Sequence, residues 1–159
     1  MGTKNTDLVA NFEASPQVAN NSAELHGVLR TANGTVELAA GDSDNDDIVM
    51  LAPIPSNASV TNLFIGSDSL GGSCAFNVGI YTTDGTVKDE DVFATAVLDG
   101  AAMADVRFEA ADIDTAGQKM YELAGDSTDP GGFYYIAATM SAAGGTAGTM
   151  SWNISYVVN

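Results

Sequence analysis

Apolar and polar residues alternate most cleanly in two stretches of the chain. In the first, Cys74, Phe76, Val78 and Ile80 fall on one face, and Ala75, Asn77, Gly79 and Tyr81 on the other. In the second, Met150, Trp152, Ile154, Tyr156 and Val158 alternate with Ser151, Asn153, Ser155 and Val157. A period of two belongs to a pleated strand with one buried face; no helix buries such a set together. A core of Phe76, Val78, Ile80, Trp152 and Ile154 is therefore expected. Ala58 to Ser67, with Val60, Leu63, Phe64 and Ile65, is a further β-rich run. The turn Ser67 to Ser73, with Gly71-Gly72, is expected to join it to Cys74–Tyr81 as a central hairpin.

The rest of the chain is organised around these runs. Leu25 to Thr31 and Thr35 to Ala39 flank Ala32-Asn33-Gly34, and Asn-Gly is a strong hairpin signal. Ile48 to Ala52 reads as a strand ended by Pro53 and Pro55, which cannot donate to a central ladder. Asp84-Gly85 marks another hairpin turn within Thr82 to Thr86. Asp89-Glu90-Asp91 before Val92 and Phe93 fits either a helix start or a strand on an irregular path. Gln118 to Ala124, closed by Gly125, reads as a helical turn with a glycine cap. Asp126 to Gly132 is a loop, and Phe133 to Met140 an aromatic-rich strand.

Residues 1–24 carry isolated apolar residues and no sustained period, so they read as an extended N-terminal arm. It is either a frayed terminus or a segment that orders on a neighbouring subunit, with Leu8, Val9 and Phe12 as assembly contacts. Residues 25–159 form the domain. Roughly seven to nine short strands, little helix and long connections give an all-β, jelly-roll-like β-sandwich.

The chain has 159 residues, enough for one domain. Its 21 acidic and 5 basic residues leave a net charge of −16. Such a surface repels phosphate backbones and anionic membranes, so neither nucleic acid nor membrane is an expected partner. Salt would screen the self-repulsion, which suits a saline environment. Met1-Gly2-Thr3-Lys4 opens no charged-then-apolar signal region, so secretion by a standard signal is not expected. Cys74, the single cysteine, allows no internal disulfide and sits on an apolar strand face as a small hydrophobe.

Candidate chemistry is sparse. His26 is the single histidine, and Gly66-Ser67-Asp68 only approaches a nucleophile elbow, so no catalytic residue is assigned. Asp42-x-Asp44-x-Asp46 imitates the front of a calcium-binding hand. Asp47 then stands where a turning glycine is needed, and Pro53 where a bidentate glutamate belongs, so a solvated acidic loop is the preferred reading. The pairs Asp89/Asp91, Asp112/Asp114 and Asp126/Asp129 fit capping and turn formation. Trp152, Tyr134, Tyr135 and Tyr156 could form a sugar-stacking platform, but alternation assigns Trp152 to the core. No cofactor and no metal site are expected.

A set of loose motifs runs through most of the domain. They are His26-Gly27-Val28-Leu29-Arg30, Thr35 to Asp42, Ile54-Pro55-Ser56-Asn57-Ala58-Ser59-Val60, Asp68-Ser69-Leu70-Gly71 and Val78-Gly79-Ile80-Tyr81. Gln118 to Gly125 with Asp129-Pro130, the small-residue run Ala138 to Gly148 and Ser155-Tyr156 complete them. On these residues, 26–159 resembles a group of small β-sandwich structural proteins of tailed bacteriophages, often encoded beside the major capsid protein. The resemblance implies a non-enzymatic virion component, a capsid decoration or cement protein on the outer surface of the head, made in the host cytoplasm. Its implied partners are the major capsid protein and further copies of itself, in a homo-oligomer such as a trimer. The alternative is a host-surface or carbohydrate-binding module of a fibre or tail, since sandwich loops often carry ligand sites.

Overall fold

A computed structural model describes residues 5–20, 25, 27–100 and 102–158. His26 lies outside the described residues. Eight strands form two four-stranded antiparallel sheets. The strands are β1 (Leu29–Leu38), β2 (Ile48–Pro55), β3 (Ala58–Ser67), β4 (Ala75–Tyr81), β5 (Val87–Leu98), β6 (Ala104–Asp105), β7 (Phe133–Ala142) and β8 (Gly148–Val158). One sheet has the order β1-β8-β3-β6 and the other β2-β7-β4-β5. Apart from the β4–β5 hairpin and its turn, consecutive strands alternate between sheets, and the first strand lies beside the last. This is the jelly-roll topology, two Greek keys folded into a sandwich.

The inner faces bury Ile54, Leu63, Phe76, Val78, Ile80, Phe93, Ile136, Met140, Met150 and Ile154 in one continuous core. Phe76, Val78, Ile80 and Ile154 are where alternation puts them. Trp152 packs against this core but stays half-buried near the β1 edge. Gly34 explains the position: it faces Trp152 across the β1–β8 ladder, and a Cβ there would lie 2.7 Å from the indole ring. Asn33-Gly34 is therefore no turn. β1 runs straight through it, with Asn33 opposite Asn153.

Further expectations change once the sheets are seen. The segment Ser67 to Ser73 does not close a hairpin; it carries the chain from β3 in one sheet to β4 in the other. Fully buried Leu70 plugs that crossing, its N–H donating to Asp99 Oδ2 (2.6 Å) and its carbonyl accepting from Thr146 N–H (2.7 Å). Pro55 is the last residue of β2, but Pro53 does not end it; it lies within the strand, and β2 is an edge strand, where proline is tolerated. Residues 7–13 of the arm form a short helix, α1 (Asp7–Glu13). The hydrogen bonds of its side chains, such as Asn20 Nδ2 to the Leu8 carbonyl (3.1 Å), stay within the arm among the described residues.

Of the two readings for Asp89–Phe93, the irregular strand is the one observed. β5 slips register against β4 at several places and carries a positive φ of 50° at Ala96. β4 is buried on both faces, because the slack in β5 arches over its outer side. Gly79 sits beneath the arch, where a Cβ would fall inside the van der Waals radii of the Asp89–Glu90 backbone. Asn77 holds the arch from below, its Oδ1 accepting from Ala96 N–H (2.9 Å). The helical turn α2 (Met120–Leu123) ends as expected, with Gly125 N–H donating to the Glu122 carbonyl (3.0 Å).

Candidate functional site

Many of the described carboxylates are hydrogen-bond acceptors within the fold, some across distant segments, as Asp68 Oδ2 accepts from Thr149 N–H (3.1 Å), and some within their own turns. Asp42 Oδ2 accepts from Ala39 N–H (2.8 Å) and Asp47 Oδ2 from Asp44 N–H (2.9 Å), so two acids of the 42–47 loop close its own turns. Among the described residues no group of three His, Cys, Asp or Glu side chains converges so as to hold a metal ion. Cys74 is fully buried beside Met140, and burial pushes its thiol up, away from the reactive thiolate.

Arg107 is a residue that sequence patterning gave no reason to single out. It follows β6 and is fully buried. Its Nε donates to the Val60 carbonyl (2.9 Å) and its Nη2 to the Thr115 carbonyl (3.1 Å). Its guanidinium carbon lies 5.1 Å from the Phe93 ring centroid and 4.5 Å from that of Phe108. Burial lowers its pKa to about 10, with Asp105 nearby opposing the shift. The side chain thus ties the 99–119 connection to β3 and β5.

Three surface features remain for recognition. The first is the arm. In α1, Val9 is 41% and Phe12 62% exposed, while Leu8 is half-buried. The second is the outer face of the β2-β7-β4-β5 sheet. There the ladder aligns Pro53, Tyr135, Tyr81 and Val87 in one row, and Met50, Ala137 and Gly79 in another. None of these positions is charged; Met50, Pro53 and Val87 are exposed, while Tyr81 and Ala137 are buried and Gly79 lies under the Asp89–Glu90 arch. The tyrosine hydroxyl of Tyr81 reaches Thr139 Oγ1 (2.5 Å) across this face.

The third feature is an open groove of about 410 Å³ at one end of the sandwich, between the 82–86 turn and the loop after α2. An ion pair spans it: Lys88 Nζ lies 2.7 Å from Asp126 Oδ1. Tyr134 donates its hydroxyl to the other oxygen of Asp126. Hydrogen bonds from Lys88 and Tyr134 hold the Asp126 carboxyl below the usual carboxylate range, and burial with the neighbouring carboxylate pushes the Tyr134 phenol up. Phe133, 55% exposed, also lines the groove. Of the aromatic residues weighed as a sugar platform, only Tyr134 lines this groove; Tyr135 lies on the outer sheet face, and Trp152 and Tyr156 belong to the other sheet.

No family model matches the chain, and no curated protein matches it. Solved structures do. A chain of the cyanophage Pam1 capsid asymmetric unit superposes with a TM-score of 0.55 at 13% identity, covering 84% of this chain and 86% of that one. A chain of the capsid of Ralstonia phage GP4 gives 0.61 at 17% identity, again covering 84% and 86%. The fold is shared with chains of two phage capsids. At these identities the likeness concerns the jelly roll itself and assigns no residue a role.

Proposed function

We propose that this chain is a non-enzymatic structural protein of a phage particle, a decoration or cement protein that binds the outside of the head and stabilises its lattice. The observation that carries the reading is the jelly roll shared over 84% of the chain with chains of two phage capsids. The net charge of −16 supports an outward-facing position over one lining a genome cavity. The arm, residues 1–24, anchors the protein to its lattice through Leu8, Val9 and Phe12. An amphipathic segment whose described hydrogen bonds are all internal gains most of its stability by docking its apolar side chains.

Further copies of the chain meet through the uncharged β2–β7 side of that outer sheet face, at Met50, Pro53 and Tyr135, and not through its β4 side, which the Asp89–Glu90 backbone covers. Two surfaces of the same strong negative charge approach at lowest cost where neither carries a carboxylate. The test is reconstitution: the full chain is added to heads lacking it, and its density is located by cryo-electron microscopy. Density on the outer surface, lost for a 25–159 truncation and for Phe12→Asp, is the expected result. Density in the continuous shell or in the tail would overturn the decoration reading, and undiminished loading of the truncation would overturn the role of the arm.

A further inference from the structure

We propose that the groove between the 82–86 turn and the loop after α2 binds a neutral carbohydrate, with Phe133 as the stacking platform and the Lys88–Asp126 pair as the polar clamp. The backbone presents this aromatic outward on purpose. Gly131 and Gly132 have φ of 74° and 80°, a left-handed pair that turns the chain sharply out of Asp129-Pro130 into β7. A Cβ at either glycine would meet nothing within 4 Å, so the conformation and not lack of room selects glycine. Asp129 Oδ1 fixes the turn by accepting from Gly131 N–H (2.9 Å). Phe133 emerges from this turn at the groove wall and is 55% exposed, more than Phe64 at 36% and unlike the fully buried Phe76 and Phe93.

The polar groups are set for hydroxyls. Lys88 uses one of its ammonium protons on Asp126, leaving the others for a ligand. Asp126, already receiving Lys88 and Tyr134, is locked in orientation and keeps lone pairs for a hydroxyl donor. The side-chain hydroxyls of Thr83, Ser127 and Thr128 line the same groove and make no hydrogen bond to another described residue. An exposed aromatic face beside paired, mutually oriented donors and acceptors is what a pyranose needs: one apolar ring face and a rim of hydroxyls. The lysine and the aspartate cancel, so the clamp is neutral. The chain's charge of −16 repels acidic sugars. A volume of about 410 Å³ is within the range of small-ligand clefts.

The experiment is an array of neutral hexose and N-acetylhexosamine oligosaccharides printed beside uronate-containing ones, probed with the full chain and followed by calorimetry on the bound sugars. At least one neutral oligosaccharide should bind and no acidic one more tightly. Phe133→Ala should weaken that binding about tenfold, and Lys88→Met should do likewise. Phe133→Ala should still melt cooperatively close to the wild type, since more than half of the ring is exposed. No neutral sugar binding at millimolar concentration, or binding untouched by both substitutions, overturns the proposal. So does loss of particle loading by Phe133→Ala without any sugar binding, which would make the groove a protein contact. The head-decoration reading is tested separately and stands or falls without this site.

Discussion

Replacing Arg107 with methionine probes the least ordinary feature of the interior, a cation sealed inside a sandwich. The substitution keeps much of the side-chain length and removes the charge. Two effects oppose each other. Burial lowers the guanidinium pKa to about 10, a penalty on the charged form of about 3 kcal/mol that methionine relieves. Against this, the Val60 and Thr115 carbonyls lose their donors (2.9 and 3.1 Å), and a stranded buried carbonyl costs about 1–3 kcal/mol. The contacts with the Phe93 and Phe108 rings contribute about 2 kcal/mol more when shielded from water. The losses win, and Arg107→Met should destabilise the fold by about 3 kcal/mol. In urea that lowers the unfolding midpoint by roughly 1.5 M at unchanged slope. A loss below about 1 kcal/mol, or a gain, would refute the assignment of Arg107 as the tie between the 99–119 connection and the sheets.

The same residue has a pH signature. Its folded pKa is depressed, so below pH 10 both states hold the proton and the charge penalty is constant. Above about pH 10 the folded state releases a proton that the unfolded chain keeps until its higher ordinary pKa, so this group adds stability as pH rises through that window. Tyr81 and Tyr134 act in the opposite sense, because burial raises their phenols and the folded state then retains protons that the unfolded chain loses. Subtracting the Arg107→Met curve removes the tyrosines, and the wild type should gain on the variant across that window. A gap that narrows would show that the guanidinium is not the titrating group.

Two glycine substitutions test close approaches. Gly79→Ala drives a methyl into the Asp89–Glu90 backbone, which has no flexible end to give way, so a loss above about 3 kcal/mol or insoluble protein is expected, read by yield and urea melts. Gly34→Ala meets the Trp152 ring, which sits near an edge and can swing outward; a cost of about 1–2 kcal/mol with red-shifted tryptophan emission is expected, and unchanged emission would count against the contact.

Strands that carry their own alternation, β4 and β8, were legible in the chain, as were the 82–86 turn and the glycine that ends α2. What the chain withheld depends on what lies across a ladder or above a sheet. Asn33-Gly34 has the chemistry of a turn, yet the glycine serves Trp152, more than a hundred residues away in sequence. Pro55 does close β2, but Pro53 would mark a strand end only if the strand were central, and edge position is a property of the whole sheet. Gly79 and Tyr81 look like the wet face of β4 until β5 arches over them. The groove was hidden for the same reason: Lys88 and Asp126 are 38 residues apart, and each alone is an ordinary surface charge. Phe133 read as one more apolar strand residue, because nothing local distinguishes an exposed ring from a buried one.

The fate of the cations decides how this chain can crowd onto a lattice. Of the five basic residues, Arg107 is spent inside the fold and Lys88 on Asp126. Lys119 stands 5.9 Å from the Tyr121 ring at the start of α2. Among the described residues Arg30 is an exposed cation besides these, one positive charge against many surface acids, and unit charges several ångströms apart repel by about 1 kcal/mol even in water. Contacts between copies must then rest on uncharged area, and salt acts only on the repulsion. Raising sodium chloride shortens the Debye length from about 10 Å at 0.1 M to about 3 Å at 1 M. Occupancy on reconstituted heads should hold or rise over that range, and magnesium should add to the effect by neutralising surface carboxylates. If the acidic surface itself were the adhesive, gripping a basic patch of the capsid, release would steepen with salt. Loss of most of the bound protein by 0.3 M sodium chloride would therefore exclude apolar docking as the main source of affinity.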